Sequence, residues 1–335
     1  MQTCSICQNS ERNRLCVARE MMFGLRDHFS YLECGSCGCV QLIDVPQNLG
    51  RYYPEGYYAY GESGPFKAWV QAQWAAHTFG RFAPVGWLVK EFLWRYDALA
   101  AFRRAKVGPS ARILDVGCGV GLLIRDLFRL GYSNVTGADP FVPAELIYPG
   151  GVRVFKKTLA EIQGQFDFIM LHHSYEHMPE PAMVMQQLAR LLATGGSVMI
   201  RIPVADSYAW RHFGVNWLHL DPPRHLFLHT RKSIELLAKQ AGFKITEWQL
   251  EGNETAFLGS EQYQRDIPLL DERSYAAGPA KLIKNWPRVR KFRKLAEEMN
   301  RRGEGDWACI LLKPFGTAPV WTSDRSAHAS QQQER

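Results

Sequence analysis

The sequence lacks long hydrophobic runs: its 335 residues contain no stretch of about 18 uninterrupted apolar residues. That absence argues against a helix that spans a membrane. The first residues also lack the basic and apolar regions of a secretory signal peptide. We therefore expect a cytoplasmic location.

Cysteine is scarce over most of the chain, because six of its eight cysteines lie within the first 39 residues. Disulfides are rare in cytosolic proteins. Four of these thiols form two C-x-x-C pairs separated by 26 residues, and a tetrahedral zinc ion takes four thiolates. The spacing predicts a zinc ribbon over residues 1–47 with a structural Zn²⁺ on Cys4, Cys7, Cys34 and Cys37.

Two further thiols of this region, Cys16 and Cys39, are spare in that scheme. A rearranged site with Cys39 in place of Cys37, a redox pair and unliganded thiols are the alternatives to the zinc site that the spacing favours. With four protein ligands, the metal would be structural and not catalytic.

Acidic residues are outnumbered by basic ones, 33 to 40, which leaves a net charge of +7. The excess favours anionic partners such as nucleotide sugars, lipid-linked glycans, a membrane surface or nucleic acid. A basic cluster at 288–294 is best explained as a solvated helix face, although it is compatible with a peripheral membrane contact. The proportions of hydrophobic and charged residues, 46% and 22%, are those of a soluble globular protein.

Residues 113–121 read Ile-Leu-Asp-Val-Gly-Cys-Gly-Val-Gly and join a predicted strand to a predicted helix. Glycines suit such a loop because a ligand must approach the main chain closely. Asp139 follows Gly121 by 18 residues, at the end of the next predicted strand, where an acid can accept hydrogen bonds from both ribose hydroxyls. The pattern predicts a site for an adenosine-bearing cofactor and disfavours a turn without a ligand.

The spacing Gly117-x-Gly119-x-Gly121 lacks the third glycine of the dinucleotide pattern G-x-G-x-x-G. Asp115 would repel a pyrophosphate but suits a cofactor that carries an ammonium and a sulfonium group. In these residues the chain resembles the class I S-adenosylmethionine (SAM) methyltransferases, whose first motif it matches. The resemblance implies SAM as the cofactor.

Strand and helix patterns alternate from residue 111 onward, which predicts a parallel sheet covered on both faces. We expect an α/β fold with a doubly wound, Rossmann-like, seven-stranded, mostly parallel sheet. One helix is predicted from Pro181 to Gly195-Gly196, and another from Thr230 or Ser233 to Gly242. The predicted strands are 112–116, 134–138, 152–155, 166–171, 196–202, 243–250 and 307–313.

The predicted domains besides the ribbon are an aromatic loop with a helical cap (48–107), a SAM-binding domain (108–313) with a helical insertion (251–305), and a disordered tail (314–335). The tyrosine-rich loop 51–60 either packs between ribbon and main domain or covers the site as a lid. A cap helix that buries its tryptophans is favoured over one that binds a membrane interface. These tryptophans are Trp69, Trp74, Trp87 and Trp94.

Ionisable side chains cluster after the fourth predicted strand, at residues 172–179, and again at 217–229. Ligands of open α/β sheets bind at the carboxyl ends of the strands, so these residues would lie near the transferred methyl group. His177 and His225 are the candidate bases, with Glu176 orienting one of them. For any single histidine, packing or helix capping is as good an explanation.

Several later motifs resemble the ubiquinone-biosynthesis-type and polysaccharide-cluster branch of these enzymes, some of which carry an N-terminal cysteine module followed by Tyr-Tyr-Pro. These motifs are residues 175–179, Gly195-Gly196, Pro203, Trp217 and residues 223–225. The resemblance implies cofactor contacts at Asp115, Gly117, Cys118, Gly119, Gly121, Asp139, Pro140, Leu159, His172 and His173. Many relatives have an acid near 158 that binds the adenine amino group, whereas this chain has Thr158.

The function we expect is methyl transfer from SAM to a small acceptor, linked to a sugar or a lipid, with oxygen favoured over carbon or nitrogen. Nucleic acid is disfavoured, because Asp221-Pro222-Pro223 follows the fifth strand instead of the fourth and no cysteine suits a cytosine C5 nucleophile. Ring-nitrogen methylation of rRNA by a zinc-knuckle enzyme is the main rival. A non-catalytic SAM-binding module is the alternative from another class.

Overall fold

The computed structural model describes residues 2–54, 65–80, 83–86 and 97–315. Its strands form two sheets, a small N-terminal one and a large central one. In chain order the strands are β1 (Arg14–Arg19), β2 (His28–Glu33), β3 (Val40–Leu42), β4 (Ile113–Val116), β5 (Val135–Ala138), β6 (Leu146–Ile147), β7 (Arg153–Phe155), β8 (Phe166–His172), β9 (Leu192–Pro203), β10 (Phe227–Leu228), β11 (Phe243–Leu250) and β12 (Trp307–Pro314).

The central sheet has the strand order β11-β12-β9-β8-β4-β5-β7-β6. The pairs β4–β5, β4–β8, β5–β7 and β8–β9 are parallel, whereas β12 is antiparallel to both of its neighbours. Successive strands leave β4 in opposite directions along the sheet, so a crevice opens at the carboxyl ends of β4 and its neighbours. The predicted α/β fold with a mostly parallel sheet is confirmed.

The α-helices lie mainly between these strands. They are α1 (Pro65–Thr78), α2 (Asp97–Arg104), α3 (Leu122–Arg129), α4 (Pro181–Leu191), α5 (Tyr208–Phe213), α6 (Arg231–Gln240), α7 (Glu254–Gln264), α8 (Pro279–Lys284) and α9 (Trp286–Arg302). Thr230 caps α6 by accepting a hydrogen bond from the backbone of Ser233. Helices α7, α8 and α9 occupy most of the predicted insertion between β11 and β12. None of the helices described is long and apolar enough to cross a bilayer.

Two apolar clusters cover the two faces of the central sheet. Ile113 of β4 belongs to a cluster with Phe102 of α2 and Leu127 of α3. Its neighbour Leu114 points to the other face, into a cluster with Leu188 of α4. Successive side chains of a strand alternate between faces, so a strand that is buried throughout needs helices on both sides.

The small sheet has the order β1-β2-β3-β10 and includes a strand from the far part of the chain. Phe227 and Leu228 of β10 pair antiparallel with Gln41 and Val40 of β3. The side chain of Tyr31 on β2 lies in the same apolar cluster as Leu114. The cysteine-rich segment is therefore joined to the central sheet by both backbone pairing and a shared core.

Two predicted features differ from the structure. Among the described residues the central sheet has eight strands instead of seven, because the two-residue edge strand β6 is too short to show a periodic pattern. Helix α4 ends at Leu191 instead of reaching Gly195-Gly196, since β9 already begins at Leu192. Phe166 pairs with Leu192 but Phe168 pairs with Ser197, so the two glycines lie in a bulge.

The predicted aromatic cap is described only in part. Trp74 of α1 is buried, with 7% of its surface exposed, whereas Trp69 is 49% exposed. Tyr52 is buried and its hydroxyl donates a hydrogen bond to Asp27. Trp87, Trp94, residues 55–60 of the tyrosine-rich loop and residues 316–335 of the predicted tail lie outside the described residues.

Candidate functional site

The loop between β4 and α3 adopts a backbone that requires glycine. Gly117, Gly119 and Gly121 have φ angles of 73°, 54° and 75°, in the left-handed region that other residues avoid. A Cβ atom on Gly117 would lie 2.4 Å from the Cβ of Ser174, and one on Gly121 would lie 2.7 Å from a methyl carbon of Val154. The chain therefore passes close to the loop after β8 and to strand β7, and side chains are excluded from this surface.

Asp139, which is buried at the end of β5, holds this loop through its carboxylate. Oδ2 accepts a hydrogen bond from the backbone N–H of Gly119 at 2.9 Å, and Oδ1 accepts one from Phe141 at 2.8 Å. Each carboxylate oxygen has a second lone pair. The side chain is thus oriented by the backbone and can still accept hydrogen bonds from a ligand.

Asp115, on β4, is 3% exposed, and its Oδ1 has no hydrogen-bond partner among the described residues. Burial, and then the nearby charge of Asp139, raise the pKa of this carboxyl well above its usual range. A buried acceptor without a partner is costly. The position fits a ligand that brings a donor or a positive charge.

The turn that would flank an adenine is built differently from the pattern in the resembling enzymes. Leu159 is buried, and Thr158 caps the short helix Leu159–Glu161. Both the backbone N–H and the hydroxyl of Thr158 donate to Oε2 of Glu161, at 2.8 and 2.7 Å. Thr158 therefore serves as the helix cap, and the carboxylate of Glu161 accepts its hydrogen bonds from within this turn.

The loop after β8 brings Glu176 and His177 next to the glycine loop. Ser174, which touches Gly117, also donates a hydrogen bond to the carbonyl of Val116 at 2.6 Å. Glu176 is fully buried, and neither of its carboxylate oxygens has a hydrogen-bond partner among the described residues. Burial raises the pKa of Glu176 to about 8.

His225 comes from the segment after β9 and lies against His177, with ring centroids 4.8 Å apart. Nδ1 of His177 lies 2.7 Å from the carbonyl oxygen of Arg224, and Nδ1 of His225 lies 2.7 Å from that of His219. A carbonyl only accepts, so each Nδ1 carries the proton and each Nε2 has its lone pair available. Burial, followed by the neighbouring His177, lowers the pKa of His225 to about 3.

Glu176 was predicted to orient one of the two histidine rings, but the structure gives that role to other groups. Oε1 of Glu176 lies 4.0 Å from Nε2 of His225, beyond hydrogen-bond distance. The two backbone carbonyls orient the rings instead. We name the three residues Glu176, His177 and His225 the Glu-His cluster.

His172 and His173 were expected to face the cofactor. In the structure, His173 contacts Arg201 and Glu176. Its Nε2 lies 2.8 Å from Nη1 of Arg201, which donates, so the proton of this ring is on Nδ1, 3.4 Å from Oε1 of Glu176. Arg201 is held in turn by Glu251 at 2.6 Å. His172 packs edge-on against His173, with ring centroids 4.5 Å apart.

Arg224 joins this site to the N-terminal sheet. Its guanidinium is fully buried and contacts the carboxylates of Asp221 and Glu20, the latter at 3.0 Å. Glu20 also accepts backbone hydrogen bonds from residues 22, 23 and 25. The hydroxyl of Tyr31 donates to the carbonyl of His225 at 3.0 Å. The cysteine-rich segment therefore helps to position residues 217–229, which we call the histidine segment.

The four cysteines of the two C-x-x-C pairs converge, with their sulfur atoms all within 4.8 Å of one another. The sulfurs of Cys4 and Cys37 are 3.7 Å apart. Cys39 is not part of this group: its buried sulfur lies 4.0 Å from Nδ1 of His229, and burial raises its pKa well above the usual range. The arrangement is compatible with one tetrahedral metal ion and matches the predicted set.

Sequence reasoning missed several residues of the site. Arg201, Glu251 and Ser174 lie at strand ends or in the loop, where their types alone carried no signal. Arg224 belongs to the motif at 223–225 but was given no role. Tyr53, whose hydroxyl lies 3.4 Å from Nδ1 of His177, belongs to the aromatic loop that was predicted to pack or to act as a lid.

Comparison with known proteins adds an independent finding. Residues 92–247 match the family model described as "Methyltransferase domain". This part of the chain is therefore similar to a methyltransferase domain. The matched residues include the glycine loop, Asp139 and the Glu-His cluster.

The curated relatives of this methyltransferase domain include two named ubiquinone biosynthesis O-methyltransferase. The protein from Erwinia tasmaniensis is 31% identical over 161 residues, which cover 45% of this chain and 63% of the relative. The one from Xanthomonas oryzae pv. oryzae is 30% identical over 159 residues, covering 42% and 64%. The chain thus spans less than two thirds of the length of these relatives.

Solved structures similar to the methyltransferase domain are more distant. The cyclopropane synthase MmaA2 from Mycobacterium tuberculosis is 17% identical with a TM-score of 0.41, covering 66% of this chain and 87% of that one. A complex of the Haloferax volcanii Trm112 methyltransferase activator and a methyltransferase gives 16% identity and a TM-score of 0.42, covering 72% and 95%.

Proposed function

We propose that this protein is an enzyme that transfers the methyl group of SAM to a hydroxyl oxygen of a small acceptor linked to a sugar or a lipid. The observation that carries the proposal is the contact between the two halves of the site. Ser174 lies against Gly117, so the loop that carries Glu176 and His177 adjoins the glycine loop. The O-methyltransferase relatives support oxygen as the target atom.

For the cofactor, we propose that Asp139 binds the ribose hydroxyls and that Asp115 binds the methionine end of SAM. The orphaned Oδ1 of Asp115 supports this assignment, since it needs a donor or a cation. Gly117, Gly119 and Gly121 would allow close approach of the nucleoside. The other proposed contacts are Cys118, Pro140, Leu159, His172 and His173.

For the chemistry, bound SAM supplies a methyl group on a positively charged sulfur, ready for in-line displacement. The chain's own residues position the acceptor and handle its proton. His225 and His177 present unprotonated Nε2 atoms, so either can take the hydroxyl proton as the oxygen bonds to the methyl carbon. The electron pair of the broken carbon–sulfur bond stays on sulfur.

For the N-terminal segment, we propose a structural Zn²⁺ on Cys4, Cys7, Cys34 and Cys37. The convergence of the four sulfur atoms supports a tetrahedral thiolate site. Its position beside the histidine segment suggests that it stabilises the acceptor side of the crevice.

The experiment that tests the proposed function has two steps. Isothermal titration with SAM and with its demethylated product measures cofactor binding. Incubation with SAM and fractionated metabolite extracts, followed by mass spectrometry, identifies compounds that gain a methyl group. Binding with turnover on a small acceptor supports the proposal, and binding without turnover on any fraction contradicts it.

A further inference from the structure

We call the N-terminal segment that carries Cys4, Cys7, Cys34 and Cys37 the cysteine module. Three other metal-ligating side chains converge outside it. One ligand atom each from Glu176, His177 and His225 lie within 4.8 Å of one another. Oε1 of Glu176 and Nε2 of His225 are 4.0 Å apart. Two ligands that bind one ion at about 2.0–2.2 Å each lie at most about 4.4 Å apart, so small side-chain shifts would complete the site.

The tautomers of the two histidines suit a metal ion. Each Nδ1–H donates to a backbone carbonyl at 2.7 Å, which leaves the Nε2 lone pair as the coordinating group. Metal-binding histidines usually have the same second hydrogen bond, which fixes the ring and the tautomer. The form with Nδ1 protonated and Nε2 unprotonated is the neutral imidazole that binds metal.

The buried carboxylate of Glu176 supports a metal site independently of the histidine tautomers. It is fully buried, and neither oxygen has a hydrogen-bond partner among the described residues. The donors near the carboxylate are weak: Nδ1 of His173 lies 3.4 Å from Oε1, and the backbone N–H of Glu176 itself also acts on the carboxylate. A buried carboxylate without strong donors is stable when it is protonated or when it coordinates a cation.

We propose that Glu176, His177 and His225 bind a divalent transition-metal ion, such as Zn²⁺, Mn²⁺, Fe²⁺ or Co²⁺. Two imidazoles and one carboxylate suit these ions, and three protein ligands leave coordination positions open for an acceptor oxygen. The cysteine module would hold a different ion, because its four thiolates close the coordination sphere.

The role of this ion rests on the proposed function, whereas its binding does not. It would lower the pKa of the acceptor hydroxyl, so that the two histidines need not take the proton themselves. The proton passes to water, the acceptor oxygen bonds to the methyl carbon, and the electron pair of the carbon–sulfur bond remains on sulfur.

The test counts metal ions in the full chain. The protein is saturated with Zn²⁺, freed of excess by gel filtration and analysed by inductively coupled plasma mass spectrometry. Wild type should hold about two ions per chain, and Glu176→Gln and His225→Gln about one each. The matched control is His212→Ala, an exposed histidine that stacks on Tyr208 and should keep about two.

A second measurement uses wild type alone, so that it does not depend on variants that fold poorly. Protein with Zn²⁺ on its thiolates is titrated with Co²⁺, and the visible spectrum should gain bands of nitrogen and oxygen ligation without thiolate charge transfer. The proposal is overturned if wild type binds about one ion of any of these metals, or if both variants retain the second. If wild type does not bind SAM, the proposed function is contradicted, but the metal count still tests the ion site.

Discussion

At the scale of single residues, the cofactor side of the site follows from residue types at fixed spacing. The glycines at 117 and 121 and the acid at 139 were predicted because backbone approach and ribose binding demand them. The residues that contact them from other parts of the chain were not predicted. Ser174 contacts Gly117 from a loop more than 50 residues away, and no local pattern shows that contact.

Replacing Gly117 by Ala tests the glycine loop at this scale. The new Cβ would lie 2.4 Å from Ser174, and the φ of 73° costs about 1–2 kcal/mol for a residue other than glycine. We expect SAM affinity, measured by titration calorimetry, to fall at least about tenfold. Gly195→Ala is the control, since Gly195 has a φ of 79° but open space around it. Equal affinities in both variants would refute the loop assignment.

Replacing His225 by Gln tests the acceptor side. Whether the ring takes a proton or binds an ion, its Nε2 is lost, and turnover should fall about 100-fold or more. SAM affinity should change less than about twofold, because the ribose and methionine contacts lie elsewhere. Steady-state kinetics beside calorimetry separates the two effects, with His212→Ala as the control. Wild-type turnover in His225→Gln would remove this residue from the site.

At the scale of elements, the strands and helices of the central sheet were predictable to within a few residues, because each has its own apolar period. Two kinds of element were not. Strand β6 is too short to show a period, and β10 depends on pairing with β3, almost 190 residues earlier in the chain. The end of α4 was misplaced because pairing with Phe166 draws Leu192 into β9.

Arg224 tests how the histidine segment is held to the N-terminal sheet. Arg224→Met removes the cation that lies against both buried carboxylates, Glu20 and Asp221. Leaving buried charges without their partner should lower the free energy of unfolding by about 3–5 kcal/mol. Chemical denaturation measures the change. Arg302→Met, which breaks an exposed pair with Glu298, should cost less than about 1 kcal/mol; an equal loss in both would contradict the account.

At the scale of the whole molecule, the cysteine module and the methyltransferase domain share one core. Strand β10 completes the small sheet, and it follows His225 by only two residues. The sequence predicted the module and the domain as successive segments, with the module helping to shape the acceptor pocket, but the pairing of β3 with β10 leaves no local signal. The structure shows that this pairing joins the module to the segment that carries His225.

Disrupting the proposed zinc site of the cysteine module should therefore loosen β10. In Cys34→Ser, we expect loss of bound zinc and hydrogen exchange at Phe227 and Leu228 at least about tenfold faster. Exchange measured by mass spectrometry on peptides that cover 226–229 reports this change. Cys16→Ser, which alters a cysteine outside the cluster, should exchange like wild type. Unchanged exchange in Cys34→Ser would separate the module from the site.

The central claim is that SAM binds in the crevice between β4 and α3, and a crystal structure grown with SAM or its demethylated product tests it most directly. We expect the nucleoside against Gly117 and Gly119, with its ribose hydroxyls about 2.6–3.2 Å from the Asp139 carboxylate. A crevice that stays empty at saturating SAM, or that instead takes up a nucleotide through its phosphates, would contradict the account.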